Sequence, residues 1–98
     1  MVRKFGRFLG VARPVAEFQA AGVEDPFMAV VPFHNGYSAS VVRHSFSYGG
    51  RDGLMEIAVL DADGELVYDT PVTDDVEGWL TDEMVLVLLE QIEALPAR

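Results

Sequence analysis

Asp61-Ala62-Asp63-Gly64, followed by Asp69, sets carboxylates around a glycine in the manner of a calcium loop. The spacing does not complete one. An EF-hand loop needs three ligand positions before its glycine and a glutamate at position twelve, whereas here the glycine directly follows the second aspartate. The run reads instead as a tight hairpin turn. His34 and His44 are the two imidazoles of the chain. With no convincing third ligand they do not make a metal site, and His44, between Val42 and Phe46, is expected to be a hydrogen-bonded, half-buried residue. Ser38, Ser40, Ser45 and Ser47 lie near those histidines, but no nucleophile elbow surrounds any of them, so they read as the small polar side of a partly wet strand. Gly49-Gly50-Arg51-Asp52-Gly53 could cradle an anion on backbone amides. Phosphate loops of that kind lead into a helix, however, and this one joins two strands.

The remaining candidate is a cluster of carboxylates, Asp69, Asp74, Asp75, Glu77, Asp82 and Glu83, around a strand-to-helix junction. One reading makes it a partner-binding surface for a basic protein, mimicking phosphate charge or holding a divalent ion. The other makes it ordinary helix-start and solubilising charge. The expectation adopted is a partner-binding surface, with no catalytic residue, no metal and no cofactor.

Charge supports a basic protein partner. The net charge is −9, but Arg3, Lys4, Arg7 and Arg13 make the first thirteen residues +4, leaving −13 on the remainder. A field of that sign repels phosphate backbones, so direct nucleic-acid binding by the body is not expected. The basic start either lies against the protein's own acidic surface, frays, or binds an anionic partner. Half of the residues are apolar and 23% are charged, the balance of a packed globular chain rather than a disordered one. Cysteine is absent, which excludes disulfides, thiolate metal sites and cysteine nucleophiles and fits a reducing compartment. The longest apolar run near the start, Phe8 to Ala12, is stopped by Arg13 and is too short for a signal core or a membrane span. A cytoplasmic protein with no membrane association is expected.

The elements that must position these residues follow from periodicity. Val2, Phe5, Phe8, Leu9 and Ala12 recur near helical spacing, against which Gly6 and Gly10 argue. Val15, Phe18 and Ala21 predict a short N-terminal helix after Pro14, ended by Gly22. Phe27 to Phe33 predicts a strand or buried extended segment with Pro32 at its margin. From Tyr37 to Tyr48 the period is two, with Tyr37, Ala39, Val41 and Arg43 on one face and Ser38, Ser40, Val42 and His44 on the other. A glycine loop, a strand from Leu54 to Leu60 with Met55, Ile57 and Val59 on its apolar side, the turn at Asp61 to Gly64, and a strand from Glu65 to Tyr68 complete an antiparallel meander.

Asp74 and Glu77 are spaced as a capping box before Val76, Trp79 and Leu80. Thr81 is the predicted N-cap of a final helix from Met84 to Leu95. That helix is apolar over more than half its circumference, which one sheet face cannot cover, so Leu86, Val87 and Leu95 are candidate oligomer-interface residues. The expected architecture is α+β: one domain, residues 1–98, with a three- to four-stranded meander against a C-terminal helix and a short N-terminal helix. Residues 1–13 form its basic arm.

Residues Pro32 to Ser38, Val41 to Gly50, Gly53 to Glu56 and Asp69 to Val76 together resemble a family of small proteins of unassigned function encoded by tailed bacteriophages of actinobacteria. The resemblance spans about residues 30–80. One lysine against six arginines, a single asparagine, and abundant Ala, Val, Gly and Asp agree with GC-rich coding. The resemblance implies a phage protein acting in the host cytoplasm, and it carries over no catalytic residue. Two function classes follow: a non-enzymatic module that binds a basic host or phage protein, and, as the alternative, a homo-oligomeric structural or accessory protein.

Overall fold

The computed structural model describes residues 2–73 and 75–97, the first two of them as backbone only. Six strands, β1 Val2–Phe5, β2 Phe8–Ala12, β3 Phe27–Pro32, β4 Ser38–Arg43, β5 Met55–Leu60 and β6 Glu77–Leu80, pair in chain order as one antiparallel sheet. A four-residue helix, α1 (Glu17–Ala20), sits between β2 and β3, and a twelve-residue helix, α2 (Asp82–Glu93), follows β6. The sheet curls so that both outer strands, β1 and β6, reach α2, which lies across its concave face.

The alternation read from the sequence decides what enters that concavity. Ala39 and Val41 of β4 and Met55, Ile57 and Val59 of β5 are fully buried, and they meet Val85, Leu89 and Ile92 on one stripe of α2. The register keeps them on one face: Ala39 pairs with Val59 and Val41 with Ile57. Thr81 caps α2 as its side chain suggests, its Oγ1 accepting from the Met84 amide at 3.2 Å.

Four expectations are corrected. First, the start of the chain is a hairpin, with Gly6 and Arg7 as its turn and Gly6 at φ +59°. A two-residue turn makes residues three apart a cross-strand pair, so Phe5 and Phe8 share a face just as they would on a helix. Both are buried in the core, so the basic segment is part of the sheet. Second, β4 ends at Arg43. Ser47 Oγ accepts from the His44 amide and donates to the His44 carbonyl, and these side-chain bonds replace the ladder.

Third, beyond the Asp61 turn only Leu66 bridges to Leu60, and Glu65 to Tyr68 form no strand. Fourth, Glu77 opens β6 rather than closing a capping box, and Asp74 lies outside the described residues. The sheet therefore has six strands, not three or four. The predicted N-terminal helix is present as the single turn α1.

Candidate functional site

The six carboxylates adjoin in sequence but divide in space. Asp82 and Glu83 face β1, beside Lys4, Phe5, Gly6 and Leu86, and Lys4 Nζ lies 3.9 Å from Asp82 Oδ2. On the same side Arg7 grips Glu93 with both terminal nitrogens, at 2.7 and 2.5 Å. That grip holds the Glu93 carboxyl below its ordinary value and the Arg7 guanidinium above its own. Through Lys4 and Arg7 the start of the chain thus lies on the acidic side of α2. Its aliphatic and charged atoms also rest on rings, Lys4 over Phe27 and Arg7 over Phe8. Asp69 and Asp75 are exposed on either side of a turn that Thr70 fixes by accepting from the Thr73 amide and donating to the Thr73 carbonyl.

Glu77 goes elsewhere. It pairs opposite Ile57 and borders a shallow groove between β6 and α2, of about 430 Å³, lined otherwise by Val72, Leu80, Met84, Val87 and Leu88. Met84 and Val87 are each 51% exposed there. Of the three interface candidates only Val87 lines this groove. Leu86 turns towards Gly6, and Leu95, like Leu86, packs partly buried against the core. The helix carries two apolar stripes: Val85, Leu89 and Ile92 enter the core, while Met84 and Val87 stay exposed beside Leu88 and Leu80, which line the groove but also pack partly buried against the core. The excess apolar circumference signalled the second stripe. Its partners Val72 and Leu80 were not foreseeable while residues 74–80 were read as helical.

The other candidates have local structural roles. His34 and His44 stand at opposite ends of β4. His44 is half-buried and its Nδ1 accepts from the Phe46 amide at 3.1 Å, as expected of a hydrogen-bonded residue. Ser45 Oγ donates to the Phe18 carbonyl, tying the loop to α1. Asp61 Oδ1 accepts from the Asp63 and Glu65 amides, so that carboxylate organises its own turn. Gly50–Asp52 form a 3-10 turn. Among the described residues no three His, Cys, Asp or Glu side chains converge, and no helix is long and apolar enough to cross a membrane.

The sequence assigns no functional role to two aromatic residues, Tyr48 and Trp79, each 58% exposed. They meet where the Trp79 amide donates to the Tyr48 carbonyl at 3.0 Å. Along β5 and β6 the pairs Met55–Leu80 and Ile57–Glu77 enclose one residue on β5 and two on β6, a bulge holding Gly78 and Trp79. Trp79 adopts φ +58°, in the left-handed region. Charge divides the chain on the same line. Residues 1–51 carry six basic and three acidic side chains, and residues 52–98 carry thirteen acidic and one basic, Arg98.

Comparison with protein-family models, curated proteins and solved structures yields no match to this chain.

Proposed function

We propose that the protein is a non-enzymatic binding module whose groove between β6 and α2 receives a basic, amphipathic segment of a partner protein. The observation that carries this reading is the pairing of an apolar floor, Val72, Leu80, Met84, Val87 and Leu88, with the Glu77 carboxylate at its border. The groove also lies within a stretch, residues 52–97, that has no lysine or arginine. An apolar stripe facing such a groove supplies burial, and flanking cations supply orientation and encounter rate. The resemblance to actinobacterial phage proteins supports a basic host or phage protein in the host cytoplasm as that partner. A second copy of the chain would also cover Met84 and Val87. It would, however, bring a second net charge of −9 against the first, which favours the cationic partner.

The test uses a synthetic amphipathic helix of leucine and lysine as probe, with its leucine and glutamate counterpart as control. Fluorescence anisotropy should report saturable binding of the lysine peptide alone. Val87→Glu should weaken it at least tenfold with the thermal melt retained, since that side chain is half exposed. Equal binding of both peptides, or unchanged affinity in Val87→Glu, would remove the reading. A dimeric mass in light scattering that Val87→Glu converts to monomer would assign the groove to a second copy.

A further inference from the structure

Trp79 holds an unfavourable backbone conformation and an exposed ring together. A side chain at φ +58° crowds the backbone in a way that glycine, asparagine and aspartate tolerate and bulky residues do not. Glycine is next door at position 78, so the strained position is occupied by the largest residue in the chain. The surroundings are shaped to accept it. A Cβ on Gly49 would approach the Trp79 Cα to 3.0 Å and its ring to 3.1 Å. A Cβ on Gly78 would collide with the Tyr48 Cβ at 2.2 Å. Each ring is therefore seated on a glycine of the opposite segment, and the amide of Trp79 bonds the carbonyl of Tyr48. Below them Glu56 Oε1 accepts from the Tyr48 amide at 3.1 Å, placing a carboxylate beside the pair. Two large rings left more than half exposed, one of them at a strained position, are what a docking surface retains and a fold alone does not require.

We infer that Tyr48 and Trp79 form a ledge that docks an arginine side chain of a peptide segment. A guanidinium stacks on a tryptophan or tyrosine face and is attracted by its negative π cloud, more readily than an ammonium because it is planar and less tightly hydrated. Glu56 supplies the opposite charge, and Arg51, the cation nearest to Tyr48 in the chain, reaches towards Gly22, its Nε 3.8 Å from where a Cβ on that glycine would stand. Tryptophan, tyrosine and arginine are also the residues that dominate interface energetics. The inference rests on the reading of a cationic partner given above. It goes beyond the groove, since the bulge carries Trp79 at a point on β6 that the groove lining does not include.

Trp79 is the only tryptophan, so its emission reports on the ledge directly. Titration of the full chain with a synthetic arginine–glycine repeat peptide should change that emission saturably. The lysine–glycine peptide of equal charge should bind several-fold more weakly, and an uncharged proline-rich peptide should leave the emission unaltered. Trp79→Asn, which suits the left-handed backbone, should keep the melting temperature within about 5 °C of the parent, the scale set by a small change in a domain of this size. It should also lower affinity for a labelled arginine–glycine peptide at least tenfold by anisotropy. Val87→Glu should leave that affinity unchanged. A larger fall in melting temperature for Trp79→Asn would make the ring a structural plug and overturn the inference. So would a response to the proline-rich peptide in place of the arginine peptide. Loss of arginine-peptide binding in Val87→Glu but not in Trp79→Asn would also overturn it, while leaving the groove reading standing.

Discussion

Asn35 donates from one buried side-chain amide to the carbonyls of Ile92, Glu93 and Leu95, at 2.9, 3.3 and 3.1 Å, and accepts from the Tyr37 amide through its other end. The last carbonyls of a helix have no partner within it, so a loop residue from the β3–β4 connection finishes α2 from outside. Asn35→Ala would take its donor from the part-buried Glu93 and Leu95 carbonyls, while the Ile92 carbonyl keeps the Leu95 amide, and should cost about 1–3 kcal/mol. A thermal melt should show a fall of several degrees with an unchanged circular dichroism spectrum in the cold. The Arg7–Glu93 pair gives a second expectation at this scale. Because the Arg7 hydrogen bond holds Glu93 below its ordinary value of 4.5, the folded chain takes up that proton less readily than the unfolded chain. The pair's contribution is complete above pH 4.5 and is lost as pH falls through the lowered folded value. The parent should melt above Glu93→Gln at neutral pH, and the gap should close in acid. A gap that widens on acidification would contradict the assignment.

Among the elements, the hairpin β1–β2 changes most between sequence and structure. As an arm it would be dispensable; as two strands bearing Phe5 and Phe8 it closes one side of the core. Removal of residues 1–13 should abolish cooperative unfolding in a thermal melt, and retention of a sharp transition would show that the sheet closes without it. The elements most legible in the sequence are those whose period has one explanation. Met55, Ile57 and Val59 alternate over a strand with no competing pattern, and Thr81 stands before an apolar stretch too long for a strand. The hairpin was hidden because Phe5 and Phe8 satisfy two geometries at once. β6 was hidden because its four residues include a bulge, which destroys the alternation that would reveal it. The groove was half legible: the surplus apolar surface of α2 could be counted, but its opposite wall is that unrecognised strand. The Tyr48–Trp79 contact joins residues thirty-one positions apart across a bulge, and no local pattern encodes it.

For the molecule as a whole, the charge division matters more than its total. Lys4 of β1 and Arg7 of its turn are engaged by α2, through Asp82 and Glu93, and Arg43, which is buried, pairs with Asp25 at 2.8 Å. Glu56, Asp61, Asp63, Glu65, Asp75 and Glu77 belong to β5, β6 and the segment between them, where the groove and Trp79 also are. A cationic partner of the kind proposed would be drawn to that side, which would orient encounter before contact. The position of α2 across the concave face has a further consequence, in the order of synthesis. The sheet is made strand by strand with its apolar face open, and the helix that covers Phe5, Val41 and Ile57 follows all six strands in the chain. At roughly 5–20 residues per second, a nascent chain carries that face uncovered for an interval of seconds. Burial is completed only after α2 has left the ribosome, so the native fold forms only once that helix has been made, and the half-made sheet is the species most exposed to chaperones and to aggregation.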